Sequence, residues 1–252
     1  MRSLFFSAVA LLLITSMAPA YEWEFAEIGG ENANNGKHPY EGGEVAFLDN
    51  GFTLTAHGGE IWGAELGCTL VYIKGGLSGD FTLEYTITEH TCEPVHTWSK
   101  FGAMVAQEVD PNTPYVFVVA SLPSNDDAAV NQMGVKIVSR PEQGGEASPG
   151  SGGWVPLQWP MTHKLVREGD VFTASLSLDG GKTYESIAFG DKLDNTELKI
   201  TDPVVVGFAL CGKGLVGGTG IATVVDIKIN GRKAFAVEPA GKLSTTWAGR
   251  KQ

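Results

Sequence analysis

The chain of 252 residues contains 33 glycines, 12 prolines, 43% hydrophobic and 19% charged residues, a composition that fits one ordinary globular domain and excludes disorder and a collagen-like rod. Its 18 basic residues stand against 29 acidic ones, a formal charge of −11. A field of that sign opposes phosphate backbones and anionic lipid, so neither nucleic acid nor membrane is expected as a partner.

Residues 1–20 read as a secretory signal peptide. Arg2 supplies the positive start, Leu4 to Ile14 is an almost uninterrupted apolar run, and Ala18-Pro19-Ala20 is a small-residue cleavage site. A membrane anchor would need roughly 18 or more apolar residues, and this run breaks at Thr15-Ser16 and Pro19. The expectation is a product that starts at Tyr21 and is secreted, periplasmic or on the cell surface, with residues 21–233 as one domain and 234–252 as a tail.

From there on period-two alternation dominates. Strands are predicted over 44–48, 51–56, 68–74, 81–88, 101–106, 114–121, 134–139, 162–167, 171–178, 184–188, 203–210 and 220–229. Phe81, Leu83, Tyr85 and Ile87 point one way while Thr82, Glu84, Thr86 and Thr88 point the other, as a half-buried strand requires. Turn residues separate the strands: Asp49-Asn50-Gly51, Gly75-Gly76, Gly169-Asp170, Asp179-Gly180-Gly181 and Asn230-Gly231. About a dozen short strands without helical patterns between them predict an all-β fold, a two-sheet antiparallel β-sandwich. Pro141 to Trp159, rich in Gly, Ser and Pro, reads as an exposed loop, and Val237 to Gln252 as a tail whose Leu243 and Trp247 would share one helical face.

Cys68, Cys92 and Cys211 allow one bridge at most. Cys68 sits in an apolar run, so a Cys92–Cys211 pair is the favoured bridge, with three unbridged cysteines as the alternative. No C-x-x-C or H-E-x-x-H spacing points to zinc.

His57-Gly58-Gly59-Glu60-Ile61-Trp62-Gly63, Leu77-Ser78-Gly79-Asp80-Phe81, Trp98 to Val105, Lys164 to Asp170, Ser177 to Tyr184, Val206 to Leu210 and Val225-Asp226-Ile227 follow one another in an order that resembles the concanavalin A-like lectin/glucanase sandwich. The likeness is to the bacterial branch with the DUF1349 and laminin-G-like secreted modules, over roughly residues 22–231. It implies a jelly-roll fold and leaves function open, because such sandwiches host binding modules, enzymes and adhesive proteins.

Several motifs read structurally. Ser177-Leu178-Asp179-Gly180-Gly181-Lys182-Thr183-Tyr184 resembles the Asp-box of sialidases, with Tyr for Trp, but a single copy is a hairpin device. Gly212-Lys213-Gly214-Leu215-Val216-Gly217 matches G-x-G-x-x-G yet leads into a strand rather than a helix. The glucanases of this fold class carry their carboxylates as E-x-D-x-x-E on one strand, and no such run exists here; Glu22 and Glu24 have two-residue spacing but open the mature chain. His90 and His96 flank a loop that offers a weak metal site with Cys92 and Glu93, against the plainer reading of partly covered loop histidines.

Two constellations remain. Sandwiches of the resembled kind tie first and last strands with calcium, which points to Asp226 with Glu22 or Glu24, against an Asp226 that simply faces water. Trp98, Lys100, Gly102, Met104 and Ala106 alternate with the core residues Phe101, Ala103 and Val105, which would display an indole and an ammonium outside a sheet. With Glu84, Lys136 and Arg140 they would cover a sugar ring and bond its hydroxyls. The expectation is a secreted, monomeric, non-catalytic module that binds carbohydrate or another extracellular polymer, with no cofactor beyond structural calcium. The alternatives are a glycoside hydrolase or lyase whose carboxylates come from separate strands, with Glu84 beside Lys100 and Arg140, and a structural or adhesive surface protein.

Overall fold

Fifteen strands and no helix make up the computed structural model, which describes residues 21–29, 37–94, 98–122, 134–148, 156–188, 194–212 and 218–235. The expected signal peptide, the tail from Val237, His96, the glycines around Ser151 and most of the Gly212-to-Gly217 run lie outside these residues. In chain order the strands are β1 (Trp23–Ile28), β2 (Tyr40–Leu48), β3 (Gly51–Gly58), β4 (Cys68–Ile73), β5 (Phe81–Glu93), β6 (Lys100–Ala106), β7 (Tyr115–Ser121) and β8 (Gly134–Arg140). They continue as β9 (Met161–Glu168), β10 (Val171–Ser177), β11 (Glu185–Ser186), β12 (Asn195–Glu197), β13 (Val205–Cys211), β14 (Thr219–Ile229) and β15 (Arg232–Lys233).

A six-stranded sheet in the order β1-β4-β13-β6-β7-β8 faces a nine-stranded one built on β11-β10-β9-β5-β14-β3-β2, with β12 beside β10 and β15 beside β14. Every pairing is antiparallel. This is the two-sheet antiparallel sandwich that the alternation predicts, in the jelly-roll form that the resemblance implies.

The main core fills the space between the sheets. Phe81, Leu83, Tyr85 and Ile87 of β5 meet Phe101, Ala103 and Val105 of β6 there, all at 3% exposure or less. Phe208 sits in an aromatic cluster, with ring centroids 4.9 Å from Tyr85, 5.5 Å from Phe52 and 6.4 Å from Phe101. Burying each such ring stabilises the fold by roughly 1.5–3 kcal/mol.

The six-stranded sheet is buried on its other face as well. Met104, Ala106, Tyr115, Phe117, Val119, Val138, Leu70 and Ala209 point away from the main core, yet they form a second apolar cluster with Ile61, Leu66 and Ala147. Segments around 59–67, 107–114 and 141–148 therefore close over this sheet as an extra layer. The nine-stranded sheet keeps a polar outer face, where Thr53 meets Thr223 and Thr86 meets Thr162, each pair 2.9 Å apart. Among the described residues the open sheet surface is therefore mainly that of the nine-stranded sheet.

Candidate functional site

The constellation around Trp98 is not an open face. Lys100, Gly102, Met104 and Ala106 do point away from the main core, but the covering layer buries them. Lys100 is 4% exposed and forms an ion pair with the equally buried Glu60 of the covering segment. Lys136 is 6% exposed, with its Nζ 5.3 Å from the ring centre of Trp62. Arg140 is fully buried: Nε donates to the carbonyl of Thr113, Nη1 to those of Gly63 and Ala64, and Nη2 to that of Pro111. Its guanidinium lies 4.9 Å from the Tyr115 ring centre. Trp98 is half-buried with φ at 39°, a backbone region that bulky residues seldom enter. Lys100, Lys136 and Arg140 hold the covering layer to the sheet, and Glu84 stands on the opposite sheet, away from all three.

The proposed calcium ligands are also separated. Tyr21 N bonds to Ala234 O and Ala234 N to Ile227 O, so the start of the described chain does reach the last long strand. The carboxylates, however, turn elsewhere. Glu22 and Glu24 lie 2.9 and 3.5 Å from Lys74 Nζ, and Glu24 also accepts from the Tyr72 hydroxyl at 2.9 Å. Asp226 stands on the outer face of the other sheet at a bulge in β14, with φ at 54° and Asn50 Nδ2 3.1 Å from its Oδ1. Among the described residues no three His, Cys, Asp or Glu side chains come together as metal ligands. Cys92, Cys68 and Cys211 are buried thiols, and Cys92 Sγ donates to the Gly212 carbonyl at 3.1 Å rather than pairing with Cys211.

What the fold does assemble is a groove of about 310 Å³ on the outer face of the nine-stranded sheet. Antiparallel register sets Glu84 of β5 between Lys228 of β14 and Lys164 of β9. One step along, Thr86 and Thr162 continue the floor, Asp226 stands at one side and Tyr184 at the other. The nearest charges, two carboxylates and two ammonium groups, cancel within a strongly acidic protein. Glu84 is about one-fifth exposed and lies 3.5 Å from Lys164 Nζ.

Tyr184 owes its place to the Asp-box turn. Asp179 Oδ1 accepts from the backbone N–H groups of Lys182 and Thr183 at 3.0 Å each, and Oδ2 accepts from the Thr183 hydroxyl at 2.7 Å. Those bonds, led by the one from Thr183 N, hold the Asp179 carboxyl well below the usual carboxylate range. Gly181 takes a φ of 83°, and a Cβ there would meet the Tyr184 hydroxyl at 3.2 Å, so glycine suits both the turn and the ring beside it. The turn returns the chain so that the Tyr184 ring lies over the sheet with Lys164 Nζ 4.2 Å from its centre. Partial burial, then the neighbouring Glu84 carboxylate, push the Tyr184 hydroxyl up to about 12. Leu178, 52% exposed, adds an apolar rim.

Of the binding and metal-ligating candidates read from the sequence, Glu84 and Asp226 line this groove and the others do not. A binding role for Tyr184, Lys164 and Lys228 is not legible in local sequence, because they converge from a turn, β9 and β14. The sequence signal for this site is the aromatic residue that closes the Asp-box, Tyr184.

No known protein family matches the sequence, and no curated protein does. Among solved structures, a functionally unknown protein from Saccharomyces cerevisiae is similar in fold, at 12% identity and a TM-score of 0.52, over 77% of this chain and 95% of that one. The exoplasmic/lumenal domain of VIP36, solved bound to Ca2+ and Man3GlcNAc, is 8% identical over 80% of this chain and 84% of its own, with a TM-score of 0.47. The alginate lyase A1-II', of polysaccharide lyase family 7, is 12% identical over 83% and 94%, with a TM-score of 0.43.

Proposed function

We propose that this chain is an exported module that binds carbohydrate, or another hydroxyl-rich extracellular polymer, in the groove around Glu84 without altering it. The observation that carries the reading is the pairing of an aromatic ring and an apolar rim, Tyr184 and Leu178, with a floor of hydroxyls and charges on the same sheet face. A sugar ring has one apolar face and a belt of hydroxyls, so it needs a flat hydrophobic cover together with donors and acceptors fixed in place. Thr86 and Thr162, Glu84, Asp226 and Lys228 supply both kinds of polar partner, and the strand ladder positions all but Asp226, which stands at the β14 bulge. The export part of this reading rests on the character of residues 1–20, and the finer likeness to the DUF1349 and laminin-G-like secreted modules rests on the motifs between residues 22 and 231.

The test is retention of the mature protein on a glycan array and on immobilised polysaccharides, compared with Tyr184→Ala. Losing the ring is expected to weaken binding roughly tenfold or more, the scale of a lost aromatic contact. Retention unchanged by Tyr184→Ala would move the site elsewhere; no glycan retained, with protein ligands captured instead, would favour an adhesive role.

One observation favours a second reading. Glu84 and Asp226 reach the groove from neighbouring strands, as a glycosidase with carboxylates from separate strands requires. A reducing-sugar assay on soluble β-glucan decides between the two. No release is expected from a binding module, whereas release abolished by Glu84→Gln would make the protein an enzyme.

A further inference from the structure

We propose that Cys68 and Cys211 join in a disulfide that staples β4 to β13 beneath the covering layer. The two strands are antiparallel neighbours with Gly207 opposite Tyr72, Phe208 opposite Val71, Ala209 opposite Leu70 and Leu210 opposite Thr69. One more step along that register sets Cys211, the last residue of β13, opposite Cys68, the first of β4. Both side chains point to the same face, because both belong to the outer apolar cluster together with Leu70 and Ala209. Facing residues in an antiparallel pair have Cα atoms about 4.5–5.5 Å apart, inside the roughly 4.4–6.8 Å that a disulfide spans. Each thiol is fully buried, and the charge of Cys211 bears on Cys68, as close neighbours require. Cys92 stands apart, on the other sheet, with its thiol turned to Gly212.

The chemistry is thiol–disulfide exchange. A small disulfide oxidant such as oxidised glutathione is attacked by one cysteine thiolate, which forms a mixed disulfide and releases one glutathione thiol. The second cysteine thiolate then displaces the other glutathione. The protein loses two protons and two electrons, one S–S bond breaks and one forms, and the oxidant leaves as two thiols. Burial pushes both thiols up, Cys211 to about 11, so the finished fold offers little thiolate. Exchange therefore takes place during folding, before the segment around Glu60 to Leu66 closes over the pair. The staple rests on the exported reading only for where the chain meets an oxidant, and the experiment supplies the oxidant directly, so failure of either idea is distinguishable.

The mature chain is refolded from denaturant in a buffer of reduced and oxidised glutathione, unfolded again, alkylated with N-ethylmaleimide and digested for mass mapping. One alkyl group per chain, on Cys92, and a cross-linked peptide pair containing Cys68 and Cys211 are expected. Cys92→Ser should keep that cross-link. Three alkylated cysteines, glutathione mixed disulfides in place of the cross-link, or a link that includes Cys92 would each overturn the proposal.

Discussion

Replacing Arg140 with methionine is expected to destabilise the protein by about 2–5 kcal/mol, the scale of leaving buried acceptors short of a donor at roughly 1–3 kcal/mol each. Four carbonyls, on Thr113, Gly63, Ala64 and Pro111, lose the Arg140 donor together; Pro111 O keeps Leu66 N and Ala64 O keeps Asn112 Nδ2, so the loss is heaviest at Thr113 and Gly63. They belong to the segments that cover the six-stranded sheet, so the loss falls on that layer first. Methionine fills much of the space but donates nothing, and a buried acceptor without a donor carries its full desolvation cost. Lysine should rescue only part of the loss, because an ammonium cannot reproduce the planar fork that reaches carbonyls on both loops. Urea unfolding of wild type, Arg140→Met and Arg140→Lys gives the result. A loss under about 1 kcal/mol for the methionine variant would show that the fan of hydrogen bonds does not hold the layer. A stable variant that no longer retains glycan would return Arg140 to a binding role.

The misplaced role of Arg140 shows which signals the sequence carries. Period two in β5 and β10 is legible because one face of the nine-stranded sheet meets water: Phe172, Ala174 and Leu176 are buried, while Thr173 and Ser175 are not. In β7, Tyr-Val-Phe-Val-Val-Ala is apolar on both parities, the mark of a strand covered on both sides. The strands on either side of β7 carry Lys100, Lys136 and Arg140, which share that covered face. The covering residues were harder to find, since Glu60 to Leu66 and Ala147 lie in loops whose destination no periodicity encodes. The short strands β12 and β15, of three and two residues, have too little pattern to detect and owe their pairing to longer neighbours. The groove depends on register. Lys228, Glu84 and Lys164 form a row only because the pairing of β14, β5 and β9 lines them up, and a slip of one residue in any of these strands would send its member of the row inward.

A steep fall in stability between about pH 6.5 and pH 4.5 is expected from two buried histidines. His90 and His163 are at most 2% exposed, and burial lowers each from the usual 6.5 to about 3. The hydrogen bonds fix where each ring keeps its proton. Ser99 Oγ donates to Cys211 O at 2.8 Å, so at 2.9 Å from His90 Nε2 it accepts that ring's N–H, which leaves Nδ1 bare and without a partner. The Tyr85 hydroxyl accepts from Ala103 N and donates to His163 Nδ1, 3.2 Å away, which leaves the His163 proton on an unpartnered Nε2. No carboxylate pairs with either ring in these contacts, so a second proton would be buried uncompensated. Below pH 6.5 the unfolded chain takes up protons that the folded one refuses. Stability is therefore complete above that value and is lost as pH falls toward 3, at about 1.4 kcal/mol per pH unit for each histidine. Two units of acidification would remove about 5 kcal/mol, comparable with the whole stability of many domains. The carboxyls of Asp179 and Asp202, held low by hydrogen bonds and, for Asp202, by Arg167, act in a separate window, since their contribution is lost only below the ordinary aspartate range near 3.8. Urea unfolding at half-unit steps from pH 7.5 to 4.5 measures the slope, and His163→Phe, which keeps a ring in the core, should remove about half of it. A flat profile above pH 4.5 would mean that both rings can be protonated inside the folded protein, and an unchanged slope in His163→Phe would clear that residue of any part in acid unfolding.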